Sequence, residues 1–353
     1  MMVQPATIGE RLAQYWAVAY PEHRNVQVSS VRKCHVGASR DTYRLLLSYD
    51  DNQGAQSHRA ILRVVPEGCL ASSNISSVEN EYLALQALQQ TPMRVPRVFF
   101  TEPDEKYLGG SFMLMHEIVG CESSWSNIVK PPWVHHREKL GEQFWTQLGE
   151  LSKVDMKRSG LADGFTVPDA CDCAAIALDT WLCELRTAQS RLANGIALPS
   201  VEAAIRWLKA NPPLPAQRVA PVHGDFRAGN FLYDESGQVH AILDWEMFHL
   251  GDPMEDIGYG TCPVWGKRRP GGMVSRERTI ELWERSSGLV ADAASLRWWN
   301  VLALLKLVAL HVSAAFSFGS GANANPQLMV GAWFGLNSVE RCLPSILDEV
   351  AHA

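Results

Sequence analysis

The sequence predicts an α+β chain in two parts, a small antiparallel sheet over residues 1–117 and a larger, mostly helical part over residues 118–353. Three observations carry that prediction. Runs of period-two alternation, parted by Gly- and Asn-containing turns, cluster before residue 117. Long segments of helical periodicity dominate after Gly120. At 353 residues the chain is long enough to bury two sizeable cores.

The elements follow in order. Residues 7–19 place Ile8, Leu12, Tyr15, Trp16 and Ala19 near one helical face. Residues 26–31 alternate like a strand, and His35-Val36-Gly37-Ala38-Ser39-Arg40-Asp41 leads into another over 42–49. After the turn at 50–54, a further strand covers 59–65 and carries Arg63. Small side chains let backbone N–H groups approach phosphates, so Gly37, Ala38 and Ser39 read either as a phosphate-covering turn or as a plain hairpin. Arg63 reads as a phosphate-holding fork or as an exposed residue on an edge strand. The helix at 78–90 offers Leu83, Leu85 and Leu88 to the core and carries Glu79 and Glu81, which read as a partner for Arg63 or as solvated helix acids. A strand starts at 95–98, and 110–117 is an apolar strand running into His116 and Glu117.

Helices are expected over 133–154, 173–191 and 200–211, where Asn211-Pro212-Pro213-Leu214-Pro215 breaks the last one before a short strand at 218–222. Further helices cover 275–287, 295–318 and 326–347. The run 296–318 is the most membrane-like, since a spanning helix needs about 20 apolar residues. Arg297, Asn300, Lys306 and His311 interrupt it, so a buried amphipathic helix is the expectation.

Residues 222–259 hold the densest information. His223-Gly224-Asp225 is followed five residues later by Asn230, then by apolar runs at 231–233 and 239–243 around a polar, Gly-containing turn, then by Asp244-Trp245-Glu246. The turn predicts a hairpin that returns Asp244 beside Asn230. Gly224 and Gly229 allow tight turns. A phosphoryl-transfer loop needs an Asp to receive a hydroxyl proton, an Asn for Mg²⁺ and a second Asp for the same metal. Asp225, Asn230 and Asp244 supply those types at that spacing. The alternative is an ordinary hairpin with exposed acids.

This segment resembles the aminoglycoside-phosphotransferase-like family of small-molecule kinases. The resemblance rests on His223-Gly224-Asp225, Asn230, Asp244-Trp245-Glu246 and Gly251-Asp252-Pro253-Met254-Glu255-Asp256. It implies a two-lobed protein-kinase-like fold and phosphorylation of a hydroxyl on a small molecule, with ATP, or GTP in its place, and Mg²⁺. It further implies that Arg63 stands where protein kinases carry a phosphate-holding Lys, and it favours Glu81 over Glu79 as partner. Backbone groups of Met115, His116 and Glu117 would meet the adenine edge, with Met113 and Leu62 against the ring. Gly37 and Ser39 would cover the phosphates.

Asp225 would orient the acceptor hydroxyl, positioning doing most of the work. His223 reads as a brace for the loop. Arg227 reads as a binder of γ-phosphate or an anionic substrate, or as a cap. Asp256 would hold the turn by accepting N–H groups, and Glu246 is a second metal-side acid or a surface residue.

Composition narrows the classes. Hydrophobic content of 46% and charged content of 20% are ordinary for a globular chain. A net charge of −6 argues against a nucleic-acid binder, which carries a basic footprint. Eight cysteines without a paired C-x-x-C argue against zinc, and Cys171 and Cys173 read as buried or half-buried thiols. No signal peptide is evident at Met1, so a reducing, cytoplasmic setting is expected without a membrane partner.

The competing functions are an inactive nucleotide-binding regulator, for which Arg63 in place of Lys speaks, and a protein kinase, against which the absence of an A-P-E element speaks. Within the kinase reading, a hydroxyacyl-CoA-type acceptor competes with an antibiotic. Trp283, Trp298, Trp299, Trp333, Phe316, Phe318 and Phe334 suggest a flat or apolar acceptor or lobe core. The oligomeric state is open.

Overall fold

The structure, a computed structural model, describes residues 5–34, 40–65, 77–192, 198–321 and 325–351. Gly37, Ala38 and Ser39 lie outside the described residues. The chain forms two compact units, Met1–Gln86 with Pro96–Val119, and Ala87–Val95 with Gly120–Ala353.

The first unit contains α1 (Pro5–Ala19), β1 (Arg24–Cys34), β2 (Asp41–Asp51), β3 (Gly54–Val64), most of α2 (Val78–Leu88), β4 (Val98–Glu102) and β5 (Phe112–His116). The strands form one antiparallel sheet in the order β1-β2-β3-β5-β4. The β2–β3 hairpin holds unbroken register from Asp41↔Val64 to Asp51↔Gly54. Its two-residue turn ends at Gly54, whose φ of +112° a side chain would strain. β3 is therefore an inner strand, which removes the edge-strand reading of Arg63. Ile8, Leu12, Tyr15 and Trp16 of α1 pack on Leu45, Leu47, Leu62 and Leu114 of the sheet.

Two expected core positions are corrected. Ala19 is exposed, one turn beyond the packed face of α1. Leu83 is 41% exposed, because the inward face of α2 runs through Val78, Glu81, Leu85 and Leu88 at helical spacing.

The second unit contains α3 (Arg137–Leu151), α4 (Leu161–Gly164), α5 (Cys173–Ser190), α6 (Pro199–Ala210), β6 (Ala220–Val222), β7 (Phe231–Tyr233), β8 (Val239–Ile242), β9 (His249–Gly251), α7 (Met254–Gly260), α8 (Arg276–Ser287), α9 (Ala293–Gly319) and α10 (Pro326–Ala351). The starts of α8 and α9 follow capping chemistry: Ser275 accepts from the Arg278 N–H, and Asp292 accepts from the Ser295 N–H. α9 is long and apolar enough to cross a membrane, yet 61% of its most apolar window is buried inside this protein. It packs on α5, α6, α7 and α10. It is not amphipathic as expected: Leu302, Leu304, Leu305 and Leu307 are all buried, so every face is covered at its centre.

Trp283, Trp298 and Trp299 belong to this core, whereas Trp333 and Phe334 of α10 are exposed. Cys173 is buried, but Cys171 is exposed, contrary to expectation.

Candidate active site

In the first unit, Glu81 gathers two cations. Arg63 Nη1 donates to Glu81 Oε1 at 2.5 Å, and Arg40 donates to Glu81 Oε2. Glu81 is buried and Arg63 is 14% exposed at its side chain. One carboxylate thus neutralises part of a two-guanidinium charge and fixes where both forks sit. Arg40, which follows the Gly37–Ser39 segment directly, was not singled out from the sequence. Its partner lies 41 residues away, and no local pattern announces that pairing.

The strand that leads out of this unit has its last N–H groups engaged. The His116 N–H donates to the Arg97 carbonyl at 2.8 Å and the Glu117 N–H to the Arg59 carbonyl at 3.0 Å. Both donors are held in strand pairing and are not open toward a base. The His116 ring stacks on Phe99, with centroids 3.9 Å apart, and the Glu117 carboxylate takes Arg59 at 2.9 Å. Met115 is 6% exposed and belongs to the buried strand. Leu62 and Arg63 are consecutive in β3 and so point to opposite faces. Leu62 sits in the core with α1 and does not share the face of Arg63. Met113, which pairs with Arg63, does.

In the second unit, the segment from His223 to Asp244 is organised by short hydrogen bonds. The hairpin β7–β8 pairs Phe231 with Ile242, and the Leu243 N–H donates to the Asn230 carbonyl at 2.8 Å. Asp244 follows immediately, in a left-handed conformation with φ +66°. The Asn230 amide donates to the Asp225 carbonyl at 2.9 Å and to its carboxylate at 2.6 Å, which leaves its Oδ1 as the side-chain acceptor. Arg227 Nε donates to Asp225 Oδ1 at 3.1 Å, and the guanidinium lies over Trp265. Burial works against the Arg227 charge, but Asp225 beside it holds its pKa above the ordinary value.

His223 is fully buried and has both ring nitrogens engaged. The Asp225 N–H donates to Nδ1 at 3.1 Å, and Nε2 lies 2.8 Å from the Leu243 carbonyl, which fits a proton on Nε2. Burial lowers its pKa to about 4, so the ring is neutral near pH 7. Asp256 accepts the His223 N–H at 2.7 Å and the Gly224 N–H at 2.9 Å. Burial and neighbouring Glu255 raise its pKa, against the pull of those two donors. Gly224 has φ +84°, and a Cβ there would stand 2.6 Å from the Met247 carbonyl oxygen, so only glycine fits. Glu246 is buried, which excludes its reading as a surface acid.

The sequence did not single out Tyr259. Burial and the Asp225 carboxylate beside it raise its hydroxyl pKa well above the usual range. Among the described residues no cluster of three His, Cys, Asp or Glu side chains forms a metal centre. The oxygen donors available are those of the hairpin ends.

The comparisons fit this architecture. A protein of Ralstonia eutropha, whose aminoglycoside phosphotransferase designation is itself provisional, superposes with a TM-score of 0.70 at 18% identity over 96% of this chain and 98% of its own. A macrolide 2'-phosphotransferase type I gives 0.59 at 16% identity over 94% and 97%. At these identities the likeness is one of fold. The mouse acyl-CoA dehydrogenase family member 10 is 31% identical over 61% of this chain and 20% of its own length. The chain spans roughly a fifth to two fifths of the curated relatives it matches. The model of the phosphotransferase enzyme family matches residues 30–299, and the chain, with its two-lobed protein-kinase-like fold, belongs to that family.

Proposed function

We propose that the protein transfers the γ-phosphate of ATP, with Mg²⁺, to a hydroxyl group of a small molecule. The observation that carries this reading is the meeting of Asp225, Asn230 and the hairpin end at Asp244. The acceptor oxygen bonds to the γ-phosphorus, the bond to the ADP oxygen breaks, and the hydroxyl proton passes to the Asp225 carboxylate. Asn230, donating its amide N–H groups to Asp225, would hold that carboxylate in place and keep Oδ1 as an acceptor.

Mg²⁺ favours oxygen ligands and is commonly held by one or two carboxylates plus phosphates. Asn230 Oδ1 and the Asp244 carboxylate fit that donor set, and Glu246, two residues on, would be a second metal-side acid. The metal would neutralise charge developing on the transferred group. Arg63, steadied by Glu81, would hold phosphate, and Arg40 shares the duty. This pairing weighs against an inactive regulator, whose only support was Arg in place of Lys. Arg227, held on Asp225 Oδ1, would bind γ-phosphate or an anionic acceptor.

A hydroxyacyl-CoA-type acceptor is preferred to an antibiotic, because the curated relatives are acyl-CoA dehydrogenase family members. The test is thermal unfolding with ATP or GTP, each with and without Mg²⁺, then ADP release with hydroxyacyl-CoA thioesters and with aminoglycosides. Nucleotide at about 100 times Kd adds about 2.7 kcal/mol to stability, which raises Tm by a few degrees. A Mg²⁺-dependent shift with hydroxyacyl-CoA turnover supports the reading. No shift at millimolar nucleotide overturns it, and aminoglycoside turnover alone overturns the acceptor assignment.

A further inference from the structure

α9 is the most apolar long helix of the chain, yet a lysine sits at its centre. Lys306 is 2% exposed, flanked by Leu305, Leu307 and Val308, which are buried as well. Burying an ammonium group costs several kcal/mol unless it is paired and hydrogen-bonded. Its partners are specific. Nζ donates to the Gly224 carbonyl, lies 3.4 Å from Glu255 Oε1, and stands over the rings of Trp181 and Tyr259 at 4.6 and 5.0 Å from their centroids. His249 takes the other oxygen of Glu255 at 3.2 Å.

The Gly224 carbonyl belongs to the same peptide unit as the Asp225 N–H, which donates to His223 Nδ1. That plane is therefore held at both ends, by an ammonium on the carbonyl and an imidazole on the amide. Fixing it fixes ψ at Gly224 and φ at Asp225, and so the direction in which the Asp225 side chain leaves the backbone. A glycine at φ +84° resists rotation of this plane less than any other residue. Asp256 holds the two preceding N–H groups but not this carbonyl.

We propose that Lys306 is a positioning residue for Asp225, acting through the Gly224 carbonyl and backed by Glu255. The proposal rests on the reading of Asp225 as proton acceptor. The experiment is a double-mutant cycle on the full chain, with Lys306→Met and Asp225→Asn alone and combined. It measures slow hydrolysis of ATP by water, so that no acceptor needs to be known, and amide hydrogen exchange over 222–230. The expected result is a turnover loss of about 100-fold in Lys306→Met, the scale of a misplacement of about 1 Å. KM for ATP stays unchanged, no further loss occurs in the Asp225→Asn background, and exchange quickens over 222–230 before α7 and α9.

An equal fold loss in both backgrounds, or exchange that quickens equally through α7 and α9, overturns the proposal, since either marks a merely structural lysine. Equal ATP hydrolysis by the wild type and Asp225→Asn overturns the phosphotransfer reading instead, and the exchange pattern then still decides whether Lys306 holds the loop. Should Lys306→Met not fold, Lys306→Gln serves in its place. It retains an N–H donor without charge and is expected to lose about 10-fold; wild-type turnover and exchange with Gln would overturn the role of the ammonium.

Discussion

The two units each carry a buried charged cluster, and the clusters are built in opposite ways. In the first unit two guanidiniums share Glu81, all through side chains on β3, α2 and the approach to β2. In the second, Asp256, Lys306 and His223 act largely on backbone: Asp256 takes two N–H groups, Lys306 a carbonyl, and His223 bridges the Asp225 N–H to the Leu243 carbonyl. The first arrangement fixes two guanidinium forks on side chains, a geometry that suits an anion. The second gives a fixed loop shape with carboxylates and an amide oxygen on it, which suits a metal and a proton. A cluster that places charge uses side-chain pairs, whereas one that places backbone uses side chain to peptide bonds.

That contrast is testable, starting from the largest expected effect. Asp225→Ala removes the proposed proton acceptor without touching the Arg40–Glu81–Arg63 cluster. ADP formation is expected to fall by about 10³-fold while the Mg²⁺-nucleotide shift in Tm persists; full turnover in this variant would refute the assignment. Glu81→Ala removes the carboxylate that both cations share. It should lower stability by about 3 kcal/mol or more in urea unfolding and abolish the nucleotide shift. Arg63→Met, which keeps the Arg40–Glu81 pair, should lose mainly the shift.

The backbone-holding cluster makes a pH prediction. The folded pKa of His223, about 4, lies below its ordinary 6.5. As pH falls from 6.5 toward 4, protons bind the unfolded chain first, so stability present above 6.5 is lost, by about 3 kcal/mol in all. Asp252, raised to about 6 mainly by burial, works the other way in the same window. The contribution of His223 is therefore read as a difference: urea midpoints at pH 7 and pH 5 should lie closer together in His223→Asn than in the wild type. Glu255 sits outside that window. Burial opposes its charge, but His249 and Lys306 pull its pKa down to about 2, so its contribution fades only below 4.5. The smallest effect belongs to Leu83→Glu, expected within about 0.5 kcal/mol because the side chain is exposed. Leu85→Ala on the buried face should cost about 2–5 kcal/mol by the same unfolding measurement.

What was legible in the sequence follows from how far apart the partners lie. Asp225, Asn230 and Asp244 are joined by one hairpin, so spacing alone brings them together. A Glu79 or Glu81 partner for Arg63 was readable because α2 follows β3, and the family resemblance favoured Glu81, which the structure pairs with it. Arg40 was not, since its contact depends on where the preceding turn delivers it. The partners of the His116 and Glu117 N–H groups, Arg97 and Arg59, lie outside the local segment, so that pairing was not legible either. Leu62 was misassigned because a strand alternates faces, which its neighbour Arg63 makes plain once β3 is seen as an inner strand. Lys306 looked like an interruption in an apolar run. Hydropathy records that a charge is present, not which carbonyl it meets.

The distance along the chain between Lys306 and Gly224 has a consequence for biosynthesis. The two are 82 residues apart. At translation rates of about 5–20 residues per second, the carbonyl waits about 4–16 s for its ammonium. The first unit is complete in sequence well before then. The nascent chain is therefore expected to own a finished sheet, and an unaimed aspartate, until the ribosome has delivered the middle of α9.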